Sequence, residues 1–585
     1  MINDHSSSRN RISTEFHRCS IQDNNMADIK SNKKSINNLR HYFREYCDYT
    51  GIHGLKYIGE KRSLLEKICW TIIFGLSLTT CISVVYEVFK KWQRSPIIVN
   101  FASEQVNIFD ITFPAVTICP ETQVYSDHFN YSFILRRSLN ESISKDELKK
   151  LQYMSLLCNV NMYYHKIPKI DTIDEGFYEF LKNGAPFFLT KCNFMGEDHP
   201  CEQIFQPIYT DGGLCVTFNM LSKKQMFTEA TANIEPPPDA YQDRMATNWS
   251  ADFGYAQHAG VDAYPRRALL SGSRNSLEVS FAINNTDLDY GCTHLQGYKV
   301  LLHSPRRFPL LNTHSIRIPL RKSVSIAITP QLLNTSESVA QYPIRKRKCF
   351  FQTDAQLKYF SKYSQLNCRL ECLLNLTMDM CGCVEYYMPR SSNMPICGTG
   401  KYECVKNALA QHTLLLMKHN LDVHATIEER EKMNKYFGNS IYNISTTRHL
   451  CPCPDMCNNL DYNVEITESD YDWPRKMATL GVDVITEDQE GLSSSQLLLY
   501  FKGSTFIPLE RNALFETFDF LANVGGLLGL FIGFSLLSMI ELVYFLSLRI
   551  ICNLKLYKTW YGPTGVKPTT NPVVAAVLKR TSSSN

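Results

Sequence analysis

The sequence predicts an α+β membrane protein in which two transmembrane helices flank one large, disulfide-rich extracellular domain. Three observations predict it. Residues 68–89 and a second stretch near the end are apolar over the ~20 residues that a spanning helix needs. Roughly 425 residues lie between them and hold sixteen of the 21 cysteines. All seven Asn-x-Ser/Thr sequons of the chain fall in the same interval: Asn130, Asn140, Asn248, Asn284, Asn334, Asn375 and Asn443. Disulfides and glycan acceptors both belong to an oxidising, exported compartment. The loop is therefore read as extracellular, with both termini cytoplasmic. The net charge of +4 in 585 residues gives no footprint for nucleic acid.

From the start, residues 1–67 form a cytoplasmic region without a cleavable signal peptide, and residues 1–40 read as disordered because apolar residues are few and aperiodic. A short aromatic segment, 41–58, contains the pair His53-Gly54, which by itself is only a turn signal. The first span, 68–89, is flanked by Lys61, Arg62 and Lys67 on one side and Lys90, Lys91 and Arg94 on the other, so charge asymmetry does not orient it.

Within the domain 90–515, alternating apolar and β-branched runs predict strands at 111–119, 213–218, 277–283, 298–303 and 323–328. Residues 234–275 are rich in turn signals and read as an irregular excursion. Helical spacing is expected over 351–376 and 404–437. Ten cysteines crowd into this part, at Cys349, Cys368, Cys372, Cys381, Cys383, Cys397, Cys404, Cys451, Cys453 and Cys457. Zinc would call for paired Cys-x-x-Cys steps, which are missing, so disulfides are expected. Residues 345–348, Arg-Lys-Arg-Lys, read as a solvated basic loop ahead of a protease site. His294 and His303 read as surface or packing histidines.

The second span, 516–548, is not a plain anchor. Gly525, Gly529 and Gly533 recur every fourth residue, so neighbours in the series share a helix face. Small residues at that spacing permit close backbone approach in a bilayer. Ser535 adds a hydroxyl and Glu541 a carboxylate, which is costly in lipid unless it faces a bundle interior or a water-filled path. Together they read as a pore-lining helix. A cytoplasmic tail, 549–585, follows.

Several motifs, in one shared order, carry a resemblance. They are His53-Gly54; Phe113-Pro-Ala-Val-Thr-Ile-Cys119; Asn367-Cys-Arg-Leu-Glu-Cys372; Met380-Cys-Gly-Cys383; Met388-Pro-Arg390; Cys451-Pro-Cys-Pro-Asp-Met-Cys457; and the glycine-rich span up to Glu541. The chain resembles the epithelial sodium channel/degenerin superfamily over about residues 41–545. Its segments at 248–267 and 297–305 are similar to the insect pickpocket branch in particular.

The resemblance implies a trimeric, sodium-selective, usually amiloride-sensitive channel with a β-sheet palm and a helical thumb at about 350–460. It implies a sensory plasma-membrane subunit, assembled as a homo- or heterotrimer with related subunits, that passes sodium ions and needs no cofactor. It places the selectivity filter at Gly533, Phe534 and Ser535, with the Phe534 side chain expected to point away from the pore. It places amiloride at Gly529, a small-residue gate at Ala522, a gating motif at His53 and Gly54, and a pore acid at Glu541. It pairs Cys119 with Cys215, Cys192 with Cys201, Cys349 with Cys457, Cys368 with Cys453, Cys372 with Cys451, Cys381 with Cys404, and Cys383 with Cys397. Cys158 and Cys292 are left over and are expected to pair. Ile97 and Lys346 replace an aromatic pair of acid-sensing relatives, so proton gating by that route is not implied. Tyr544 replaces an acid at the inner mouth.

Two other classes share parts of the pattern. A two-span scavenger-type receptor would share topology and cysteines but need no glycine faces in its second span. An ectoenzyme would need a catalytic motif, and no His-Glu-x-x-His, Gly-x-Ser-x-Gly or P-loop is present.

Overall fold

A computed structural model describes residues 33–158, 169–186, 188–232, 246, 249–424, 429, 453–481 and 491–562. The chain divides into residues 97–512 and a second unit built from both ends, up to Pro96 and from Ala513 onward.

Among the described residues, 97–512 contain two large sheets and three two-stranded ones. The strands of the large sheets are β1 (Ile97–Phe101), β2 (Ala115–Pro120), β3 (Leu189–Phe194), β4 (Glu197–His199), β5 (Phe205–Thr210), β6 (Gly213–Phe218) and β7 (Leu277–Asn284). These continue as β8 (Tyr298–His303), β9 (Ile316–Ile318), β10 (Lys322–Thr335), β11 (Asn459–Asp470), β12 (Leu492–Phe501) and β13 (Leu509–Ala513). The larger sheet runs β1-β13-β10-β12-β7-β3-β4, with β11 added on β10, and the smaller runs β9-β8-β2-β6-β5. Strand β10 is parallel to β12, with Ile326 opposite Leu499, and antiparallel to β11, with Ile326 opposite Ile466.

The period-two pattern explains the larger sheet's buried face. Leu277, Val279, Phe281 and Ile283 of β7 are buried, alternating with half-buried neighbours. Val324, Ile326 and Ile328 of β10 and Leu497, Leu499 and Phe501 of β12 extend the same core. Strand β2 is buried at every position, as a strand covered on both faces must be. It begins at Ala115 rather than at the expected residue 111, because Pro114 has no N–H for a ladder and Phe113 already bonds the Arg266 carbonyl at 2.9 Å. Strand β10 runs on to Thr335, past the expected end at 328, because β13 and β11 continue its pairing. His303 is a packing histidine: burial pushes its pKa down to about 4, and it lies 2.8 Å from the Thr117 hydroxyl.

Helices Tyr131–Asn140, Lys145–Met154 and Gly176–Gly184 pack around Phe177, Phe180 and Leu181 in a second core. A third core lies under helix Gln365–Cys381, whose Leu370, Leu373 and Leu374 meet Met220, Phe308, Tyr359 and Phe360. That helix corrects the expected span of 351–376. It starts late because Ser364 caps it through the Asn367 amide, and Gly382 at φ 72° ends it. The apolar residues ahead of it lie in turns: the Glu371 carboxylate accepts the Lys358 and Tyr359 amides at 2.8 and 3.0 Å. Helix Tyr402–His424 covers the first part of the expected 404–437; of the remainder, only residue 429 is described. In the excursion, two short strands pair at Trp249–Ser250 and Gly254–Tyr255, while residues 233–245 lie outside the described residues.

Seven bridges join Cys119–Cys215, Cys158–Cys292, Cys192–Cys201, Cys349–Cys457, Cys368–Cys453, Cys381–Cys404 and Cys383–Cys397. Cys372 is also disulfide-bonded; Cys451, its expected partner, lies outside the described residues. The basic run at 345–348 is not simply a solvated loop. Arg347 is buried, pairs with Asp354, and donates to the carbonyls of Ala340, Tyr342 and Cys349. Lys346 sits 3.8 Å over the Tyr342 ring. These contacts hold Arg347 inside the turn, out of a protease's reach.

Candidate functional site

The candidate site lies in the unit formed by the two ends of the chain. Its first span is helix Leu64–Arg94, 31 residues long, started by Ser63, whose hydroxyl accepts the Glu66 amide. The helix exceeds the expected 68–89 at both ends, by residues 64–67 and 90–94, which carry the charged residues Glu66, Lys67, Lys90, Lys91 and Arg94. Ahead of it, helix Lys33–Tyr49 begins inside the stretch expected to be disordered. Its sequence is polar, and it is ordered by packing: Tyr42 and Cys47 are buried, and the Tyr42 hydroxyl donates to the Phe545 carbonyl at 2.5 Å.

The second apolar stretch is not one helix. It runs as Thr517–Ile532, breaks, resumes as Leu536–Leu546, turns at Ser547 and continues as Leu548–Tyr557. This corrects the single span of 516–548. The cause of the first break is local. Gly533 sits at φ 67°, the left-handed region that glycine adopts without Cβ strain, and ends the outer helix. Ser535 then takes extended dihedrals and starts the inner helix, its hydroxyl accepting the Ser538 amide at 3.2 Å. Gly533, Phe534 and Ser535 thus form a three-residue interruption between two helix ends.

A broken helix in lipid must find partners for its freed carbonyls. Three of the outer helix's last four carbonyls find them here, those of Gly529, Phe531 and Ile532. The Gly529 carbonyl accepts the Gly533 amide at 2.9 Å, and the Leu528 carbonyl accepts the Phe534 amide at 3.2 Å. The Ile532 carbonyl accepts the His53 amide at 2.9 Å. The Phe531 carbonyl accepts the Ser77 hydroxyl at 2.7 Å. His53 also covers Gly533 so closely that a Cβ there would lie 2.7 Å from the imidazole. Gly54, at φ 88°, turns the chain into helix Leu55–Gly59 beside Phe74. The structure thus brings His53 and Gly54 to the interruption.

Other expected residues fall on two surfaces. Ala522, Gly525 and Gly529 are exposed along the outer half-helix, and a Cβ at Gly525 or Gly526 would meet nothing within 4 Å. The Phe534 carbonyl oxygen lies 4.0 Å from where a Cβ of Gly529 would stand, so these two residues share a face. The Phe534 side chain is half-buried. Glu541, on the inner half-helix, accepts the Gly51 amide at 3.4 Å. Near Tyr544, Arg549 pairs with Glu45 of the N-terminal helix and donates to the Tyr544 hydroxyl at 3.4 Å. Trp92 stacks on Phe520 at 4.8 Å, tying the outer ends of the two spans. Ser77, Tyr42 and the Glu45–Arg549 pair were missed in the sequence; a hydroxyl in the middle of a span was the available signal for Ser77.

Two apolar helices fitting two spans, a disulfide-stapled α+β domain between them, and a glycine-broken second span define a membrane channel subunit. The match to known families agrees: residues 46–545 match the family model described as amiloride-sensitive sodium channel, and the chain belongs to that family, the epithelial sodium channel/degenerin channels. It is a cation-channel subunit and not an enzyme. It is 26% identical to pickpocket protein 28 of Drosophila melanogaster, over 87% of this chain and 78% of that one. It is 24% identical to sodium channel protein Nach of Drosophila melanogaster, over 88% and 89% of the two chains. It is 22% identical to acid-sensing ion channel 1 of Gallus gallus, over 88% and 86%.

Proposed function

We propose that this chain is a subunit of a sodium-selective, amiloride-sensitive plasma-membrane channel with a sensory role, assembled as a homo- or heterotrimer with related subunits, both termini being cytoplasmic. One observation carries the reading: the apolar second span is interrupted at Gly533-Phe534-Ser535, where the Leu528, Gly529, Phe531 and Ile532 carbonyls are already satisfied. A cation that sheds water needs replacement oxygens, and non-helical backbone at membrane depth supplies them where it lines a cavity. Three copies of this interruption would form the ring. Among the described residues no backbone amide donates to the Gly533 or Phe534 carbonyl. Those two oxygens are the best candidates for the ion, more than the Ser535 hydroxyl, which caps the inner helix.

The uncovered stripe Ala522, Gly525, Gly529 suits close approach of neighbouring copies, with Ala522 as the gate and Gly529 as the amiloride contact. Glu541 would hold cations on the inner side, and His53-Gly54 would couple the N-terminal region to the filter. Asn130, Asn140 and Asn375 are exposed and open to glycosylation; Asn284 and Asn334 are half-buried on strands, and Asn248 and Asn443 lie outside the described residues. The test is the reversal potential under sodium–potassium exchange for wild type, Ser535→Ala and Ser535→Cys, recorded from the chain alone and with related subunits. A shift toward potassium in the mutants is expected, because the Ser535 cap holds the end of the inner helix and with it the two carbonyls; unchanged selectivity in conducting mutants would place the filter elsewhere. Ala522→Val should raise basal current by crowding the closed pore.

A further inference from the structure

We infer that Ser77 of the first span is a positioning residue for ion selectivity, an inference that rests on the filter reading above. The first span carries five serine and threonine side chains. Four bond within their own helix: Thr71 to the Lys67 carbonyl, Thr79 and Thr80 to the Leu76 carbonyl, and Ser83 to the Thr79 carbonyl. That is the ordinary habit of a hydroxyl in an apolar helix, where the carbonyl one turn back is the nearest acceptor. Ser77 departs from it. Its hydroxyl reaches the Phe531 carbonyl at 2.7 Å, two residues before the left-handed Gly533.

The acceptor explains why. Phe531 belongs to the last turn of the outer half-helix, whose carbonyls lose their partners where the helix stops. An unpartnered carbonyl in the membrane interior is costly, so the bond stabilises the end of the outer helix. Ser77 fixes one freed carbonyl and the His53 amide fixes the next, that of Ile532. With both turned to protein donors, the Gly533 and Phe534 oxygens follow as the next carbonyls without a backbone donor, beside that of Leu530 one turn back. Ser77 thereby decides which oxygens face the ion without touching the ion itself. Removing its hydroxyl frees the Phe531 carbonyl to compete for the cation or to draw in water, which loosens the ring and favours the larger ion. The outer helix can also extend or unwind at that point, because its terminal carbonyl has lost its anchor.

The experiment compares Ser77→Ala, Ser77→Thr and Ser535→Ala in cells expressing the full chain with subunits that give current. Each is read by reversal potential under sodium–potassium exchange, with surface labelling alongside. Loss of one hydrogen bond of ordinary strength corresponds to roughly a fivefold change in an equilibrium, and a fall of that order in sodium-over-potassium permeability is expected for Ser77→Ala. Ser77→Thr, which keeps the hydroxyl, should retain wild-type selectivity. A purely structural serine would lower current or surface protein without moving the reversal potential. If Ser535→Ala shifts selectivity and a conducting Ser77→Ala does not, the inference on Ser77 is overturned and the filter stands. If neither shifts, the filter reading falls and takes this inference with it. If Ser77→Ala fails to reach the surface, Ser77→Cys, similar in size with a weaker donor, decides by the same reversal potential.

Discussion

Phe113, Phe177, Phe218, Phe281 and Phe501 are among the largest side chains fully buried in residues 97–512, while in the 31-residue first span only Cys81 is buried. In the outer half of the second span, Phe518 is 82% and Leu530 79% exposed. The domain between the spans closes its own core with two sheets and staples it with disulfides. The membrane unit leaves its apolar surface outward and spends its polar contacts on a few backbone groups at a helix break. The contrast follows from the solvent each meets. Water drives apolar side chains together, whereas lipid accepts them and instead penalises every unpaired carbonyl. Substitutions in the two regions should therefore fail differently: the domain through stability, the membrane unit through conduction.

The largest effect should come from opening the thumb at its base. The Cys349–Cys457 bridge closes a separation of 108 residues. Because Cys368–Cys453 lies inside it, the loop it closes with that bridge intact is about 25 residues, and on the chain-entropy account its removal costs about 3–4 kcal/mol. Removing Cys192–Cys201, with a separation of 9 residues, should cost about 2–3 kcal/mol on the same account. Paired Cys→Ser variants compared by thermal unfolding in detergent check the order; equal losses would mean that loop length does not set the cost.

Next is a pH dependence confined to the domain. His303 has its pKa depressed by burial to about 4, against an ordinary value of about 6.5 in the unfolded chain. Between these values the unfolded state binds the proton and the folded state does not, so stability falls as pH drops from about 6.5 toward 4, by about 2 kcal/mol at pH 5. His303→Gln should flatten that slope in pH-dependent melting. An unchanged slope would assign the acid sensitivity to other groups.

Gly533→Ala tests the membrane unit. An L residue at φ 67° costs about 1–2 kcal/mol, and its Cβ would press on the His53 ring. The domain should melt as in wild type while current falls, and surface labelling with recording separates the two. A conducting, unaltered channel would mean that the left-handed turn is not needed. The smallest effect is expected at the solvent-screened pair Lys322–Asp470, where Lys322→Ala should leave the domain's melting temperature unchanged within error.

The sequence by itself determined the two apolar stretches, the α+β character of the domain, and the class of channel to which the motifs in their shared order point. Apolar length, period-two alternation and cysteine content are local quantities, and they survive without knowledge of contacts. Helix boundaries were legible only where a cap residue happened to mark them. The stretch 351–364 shows why: its apolar spacing is helical, yet the Glu371 carboxylate, reached only after folding, takes the amides of Lys358 and Tyr359. Polar residues 33–40 likewise offered no local reason for order; Tyr42 finds its partner at Phe545, 503 positions away. Arg345 to Lys348 read as four solvated charges, but burial against Asp354 singles out Arg347. The glycine that breaks the second span was visible as a letter. What makes the break stable was not, because the hydroxyl of Ser77 and the amide of His53 come from elements some 450 residues away in the chain, and only the fold brings such donors to the carbonyls that need them.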